Sequence, residues 1–304
     1  MDMMKTMLEM QKENLLPQRH FVWADLDAND QDFQAFLQFG SDTKNNDQIR
    51  LVAFKGFVDG VISSYTGAML KPYSDRPDTS GSVGYTQERL NQLVLRANSN
   101  GYPVALHCIG DRAVRMALDA YEFSLGKLNH HLINRIEHIE VVDPVDAKRF
   151  GPLHVAASMQ PSHMHDDSAS SSYYPSRVGS DRLAHAFAWN EVKLGGAILL
   201  FGTDYPVVDE DPIEGMSCAT NRTYFDGTPF FLNQKVDGDT AIDAFTLNPD
   251  QTIGLNAGKI EVGYEADLVI LDKDPRSLSE GVLLNSNPPR LVMVAGKILK
   301  EALQ

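Results

Sequence analysis

Cysteine is scarce in this sequence: Cys108 and Cys218 are the only two among 304 residues, and no CxxC pair occurs. That excludes a disulfide framework and points to a reduced, cytoplasmic setting. Basic residues are also short. There are 27 Lys and Arg against 41 Asp and Glu, for a net charge of −14. An acidic field of this size repels phosphate backbones, and no basic stripe interrupts it, so nucleic acid and anionic membrane surfaces are not expected partners. No apolar run reaches the length of a bilayer crossing. No fixed-period repeat and no low-complexity segment is present. The first 20 residues lack the uninterrupted apolar core of a signal peptide. Met4, Leu8 and Leu15 recur there near helical spacing, which predicts a surface helix ending near Pro17.

What is present is a chain 43% hydrophobic, enough for one large domain and a small one. Strand-like apolar runs fall at residues 20–26, 51–58, 102–108, 134–141, 153–161 and 197–206. Helical patterns lie between them, at 29–40 (closed by Gly40), 86–101 (capped by Thr86, stopped by Gly101), 111–126, 143–151 and 181–196. Such alternation predicts a parallel sheet. Two polar loops, 66–84 and 163–180, are long enough to shape a pocket, the first as a lid or substrate loop. After about residue 253 the pattern changes to closely spaced strands with glycine turns. The expected organisation is a barrel over residues 1–252 and a small β domain over 253–304.

Four of the apolar runs end in chemically capable residues: Lys55, His107, His138 and Asp204. Strand ends carrying Lys, His, His and Asp match a metal site at the mouth of a parallel barrel. Each residue also has a plainer reading. Lys55 can snorkel to solvent, become a carbamate ligand once its amine is neutral, or form a Schiff base. Asp111 can cap a helix, or sit behind His107 and orient it. Cys108 follows His107 on a strand, so it points to the opposite face and reads as packing. Strict alternation puts Ile136 and His138 on one face of their strand and Arg135 and Glu137 on the other. Asp204 can cap a turn, or ligate a metal and carry a proton. His163 and His165 form an HxH pair in a polar loop, where a substrate contact by one of them fits better than joint ligation. Tyr73 and Arg135 are further candidates for substrate contact.

These residues sit in stretches that resemble the amidohydrolase superfamily, in particular amidohydrolase family 3, the YtcJ-like metal-dependent hydrolases. The matching pieces are KGFVDGV followed by TGAMLKPY, HCIGDRA, RIEHIE, SMQPSH, GTDYPV and the tail GKIEVGYEADLVILD, in that order. The resemblance implies an α/β fold: a (β/α)8 TIM-type barrel with a small C-terminal β-sandwich. It implies one or two divalent metal ions, zinc by expectation, and a carbamylated, metal-bridging Lys55. It makes His107, His138 and Asp204 the other metal ligands, with Asp204 also the general acid/base. The implied reaction is hydrolysis of an amide- or formamide-type C–N bond of a small molecule by metal-activated water. Family members open with HxH on the first barrel strand, preceded by part of the small β domain, and this sequence has no such segment. The expected barrel is therefore incomplete on its N-terminal side. An incomplete sheet exposes edges that favour a homo-oligomer. The alternative function is a catalytically inactive fragment acting through association with itself or a partner chain.

Overall fold

Six strands form one sheet: β1 (His20–Asp25), β2 (Ile49–Phe57), β3 (Val104–Cys108), β4 (Arg135–His138), β5 (Ala156–Met159) and β6 (Ile198–Phe201). Every pair is parallel, and the spatial order is the chain order, β1 to β6. This is the winding of a TIM-type barrel, with six strands paired among the described residues. The computed structural model describes residues 2–16, 18–164, 170–280 and 288–301.

Helices α1 (Asp2–Lys12), α2 (Asp30–Asp42), α3 (Gln87–Ser99) and α4 (Asp111–Leu125) are followed by the short α5 (Pro144–Ala147), α6 (Tyr174–Val178), α7 (Ser180–Leu183) and α8 (Trp189–Leu194). Then come α9 (Pro212–Asn221), α10 (Gly238–Phe245) and α11 (Leu247–Thr252). Thr86 caps α3 as expected, its side chain accepting from Arg89 N–H. No helix among the described residues is long and apolar enough to cross a membrane.

Alternation along the strands builds two faces. Phe54, Leu106, Ile136, Ala157 and Leu199 are buried on the outer one. On the inner face, Lys55, Ala105, Arg135, Ala156 and Ile198 form one register rung; Phe57, His107, Glu137, Ser158 and Leu200 form the next.

Four expectations need correction. Gly40 does not close α2. It lies inside the helix, where an added Cβ would sit 2.0 Å from the Tyr102 hydroxyl, so close packing explains the glycine. The single helix over 181–196 is broken into α7 and α8. Between them the carbonyls of Ala186 and Phe187 turn to the buried Arg222 guanidinium, each at 2.7 Å, instead of continuing a helix. The 66–84 loop is a fastened wall, not a lid. Met69 N–H bonds Ser80, Tyr73 N–H bonds Thr79, and Arg182 donates to the Lys71 and Pro72 carbonyls. Among the described residues, the tail is one three-stranded antiparallel sheet rather than a sandwich: β7 (Leu268–Ile270), β8 (Leu291–Val294) and β9 (Lys297–Glu301). Arg19, just before β1, ties this sheet to the barrel through Asp267 at 2.5 and 2.9 Å.

The junction of β3 and α4 is closely packed against the wall. A Cβ on Gly110 would lie 2.1 Å from the Ala68 carbonyl oxygen, whereas nothing lies within 4 Å of one on Gly202. Gly110→Ala is expected to cost about 2 kcal/mol through forced displacement of the wall. Gly202→Ala should stay within about 0.5 kcal/mol. Urea denaturation of the two variants checks this contrast, and equal midpoints would refute it.

Candidate active site

Lys55, His107, His138, His163 and Asp204 line one cavity of ≈ 650 Å³, together with Trp23, Phe57, Glu140, Tyr173, Tyr174 and others. Lys55 and His107 arrive there by ordinary strand alternation. His138 does not: its register partner is the outward-facing Cys108. Its φ of 76°, followed by 53° at Ile139, turns the imidazole inward. The ring then lies 4.5 Å from that of His107 and stacks 6.0 Å from that of His163. Asp204 also has positive φ, 59°. Non-glycine residues hold such conformations only where the surroundings demand them.

The lysine sits in a charged floor. Its Nζ lies 5.3 Å above the Trp23 ring and 5.3 Å above that of Phe57, and Arg135 stacks on the same tryptophan at 4.6 Å. Burial lowers the Lys55 pKa, and the negative charge of Glu137 opposes that shift. Glu137 is 4% exposed. Burial alone would raise its pKa, yet Arg135 at 2.5 Å and Lys55 hold it at about 2. Arg135 also donates to Ser158 Oγ at 2.8 Å.

The histidines are neutral donors. Gln160 Oε1 lies 2.8 Å from His138 Nδ1. A carbonyl oxygen can only accept, so Nδ1 carries the proton and Nε2 keeps its lone pair. By the same logic His107 Nε2 donates to the Gly60 carbonyl at 3.0 Å, which leaves Nδ1 free. Burial lowers both pKa values, and the proximity of His107 helps to take His138 to about 3. His163 Nε2 is buried with no hydrogen-bond partner among the described residues.

Three predicted residues are not brought to the cavity. Tyr73 is 1% exposed, with its hydroxyl spent on the Gly67 carbonyl at 2.7 Å. Arg135 lies in the floor, paired as above. Asp111 neither caps α4 nor touches His107: the cap position is Gly110, and the Asp111 carboxylate accepts from Leu70 N–H at 2.7 Å. His165 lies outside the described residues. Cys108 packs on the outer face, free and buried.

Several groups in and behind the cavity escaped sequence reasoning. Asp59 accepts from Ala68, Ile109 and Gly110 N–H at 2.8–2.9 Å and stands 3.8 Å from His107 Nε2. Burial pushes it up to about 7 against those three donors. Only its place in the Asp-Gly turn after Lys55 hinted at a role. Glu140, held by Tyr174, is likewise pushed to about 7 by burial.

Neutral imidazoles with a lone pair each, an unpartnered third imidazole and a nearby carboxylate fit a divalent cation in donor type. The cage itself is not preformed: among the described residues no three His, Cys, Asp or Glu side chains are gathered to hold a metal ion.

The sequence pattern of the amidohydrolase family matches residues 2–300. The chain belongs to that family. The chain is 29% identical over 238 residues to the putative amidohydrolase YtcJ of Bacillus subtilis (strain 168), a match covering 76% of the chain and 44% of the relative. It is 26% identical over 257 residues to the N-substituted formamide deformylase of Arthrobacter pascens, covering 76% of the chain and 42% of that protein. An uncharacterized metal-dependent hydrolase from Pyrococcus horikoshii OT3 superimposes with a TM-score of 0.77 at 28% identity, over 91% of this chain and 55% of that one. The chain thus spans about half the length, or less, of these relatives.

Glu137 carries the negative charge of the floor. Its folded pKa of about 2 lies below the ordinary 4.5. It therefore stabilises the fold fully above pH 4.5, and that contribution fades as pH falls towards 2. Glu137→Gln strands Arg135 and Lys55 without their shared counter-charge and is expected to cost about 3 kcal/mol at neutral pH. The variant should also lose less stability than the parent on acidification. Urea melts at neutral and acidic pH measure both effects, and parallel pH profiles would refute the assignment.

Proposed function

We propose that this chain carries the catalytic side chains of a metal-dependent hydrolase that cleaves an amide- or formamide-type C–N bond of a small molecule with metal-activated water, in a cytoplasmic setting. The observation that carries the reading is convergence: Lys55, His107, His138 and Asp204 line one cavity at the C-terminal ends of parallel strands. Kinship with a formamide deformylase supports the bond type.

His107 and His138 hold the metal through the nitrogens that Gly60 and Gln160 leave free. Nitrogen-rich ligation favours zinc. Burial disfavours the Lys55 ammonium, and the fraction of the amine that gives up its proton adds to carbon dioxide. A nitrogen–carbon bond forms, a proton leaves to solvent, and the resulting carbamate supplies anionic oxygen ligands. A bound divalent cation polarises the scissile carbonyl and acidifies water. Asp204 ligates as well, receives the proton of the attacking water and returns it to the leaving nitrogen. His163 directs its unpartnered Nε2 to the substrate. Tyr73 and Arg135 act at one remove, as buttress and floor. An inactive fragment working by association has less behind it, because association alone gives no reason to gather these side chains in one cavity.

Purified chain reloaded with zinc and bicarbonate should retain stoichiometric metal and show a carbamate carbon signal after labelling with ¹³C-bicarbonate. Lys55→Arg should lose that signal. Asp204→Asn should lower kcat on an N-alkylformamide by about 10²-fold or more. Failure to hold metal in the presence of bicarbonate would sink the proposal.

A further inference from the structure

Glu140 lines the same cavity and has no task in the reaction above. It is 7% exposed. Its Oε2 accepts a 2.5 Å hydrogen bond from the Tyr174 hydroxyl. Among the described residues no other hydrogen bond reaches the carboxylate and no cation pairs with it. A buried carboxylate with no cation is costly to keep. Its surroundings are aromatic: Tyr174 stacks on Tyr173 at 4.8 Å and packs on Phe187 at 4.9 Å. Arg177, the cation over Tyr173, is committed to the Ile62 and Ser63 carbonyls. An anion held by a tyrosine hydroxyl and open to a cavity is a receptor for an alkylammonium group.

We propose that Glu140, held by Tyr174, is a specificity-determining residue that takes a primary ammonium group, so that the substrate is an amide bearing a cationic amine. The assignment rests on the hydrolase reading of the cavity and adds the class of substrate to it.

Calorimetric titration of the whole chain at about pH 8, where a primary ammonium is charged, compares phenethylammonium chloride with its neutral isostere 2-phenylethanol. The ammonium should bind roughly tenfold tighter. E140Q should abolish that preference, and D204N should keep it. Equal affinities in the parent chain, or a preference that survives E140Q, would overturn the proposal. Should E140Q fold poorly, nuclear Overhauser contacts of the bound ammonium decide. Contacts to the Tyr174 ring support the assignment, and contacts confined to Val207 and Val208 refute it. The two readings fail separately. A chain that prefers the ammonium but hydrolyses neither N-hexylformamide nor N-(6-aminohexyl)formamide loses the hydrolase reading and keeps the ammonium site at Glu140. One that hydrolyses both at equal kcat/KM, without an ammonium preference in binding, loses only this one.

Discussion

An amine placed on the inner face of a parallel sheet, away from bulk water, is the constraint from which the rest of the site follows. Lys55 cannot stay charged there without a counter-ion, and Glu137 is the counter-ion. Glu137 in turn needs Arg135, and Arg135 needs the Trp23 face and Ser158. Each member answers a desolvation penalty created by its neighbour. The floor is thus a linked set, and removal of one member leaves another as an uncompensated buried charge.

Above that floor, geometry is set by backbone rather than side-chain choice. His138 would face the helices if β4 ran regularly; its left-handed φ brings it to His107 instead. Asp59 accepts three backbone N–H groups and so joins the end of β2, the wall at Ala68 and the β3–α4 junction in one knot. Gly110 lets the wall approach where any Cβ would collide. Backbone strain at a cavity wall is maintained by such knots, and it is the usual companion of positioned chemistry.

The sheet was legible because its signal is local. Apolar runs of strand length alternating with helical patterns name six parallel strands, and all six are present. The gathering of Lys55, His107, His138 and Asp204 at one cavity was legible for the same reason: each ends such a run. What escaped depends on long-range contact or on a backbone angle. Period-two reasoning put His138 with Ile136, because a single positive φ leaves no trace in hydrophobic pattern. It also put Arg135 and Glu137 together on the other face, and they do share the inner one. Asp111 and Asp59 both sit beside glycine in plausible turns. Only the fold reveals that Asp59 stands near His107 while Asp111 fastens Leu70. The broken segment over 181–196 reads as helix until Arg222, far along the chain, claims its carbonyls. Tyr73 sits in a motif-like stretch, and nothing local shows that its hydroxyl is already spent.

Charge within the cavity then orders the chemistry. As an ammonium, Lys55 repels any cation approaching His107 and His138; as a carbamate, it attracts one. A carbamate formed beside Glu137 and Asp204 without a cation would gather anions in a low-dielectric space, which is as unfavourable as the bare ammonium. On the proposed reading, carbamylation of Lys55 and metal binding would support each other, each supplying the charge that the other lacks. In such a design the neutrality of the histidines matters as much as their position, since a protonated imidazole would oppose the same cation, and burial secures that neutrality at both.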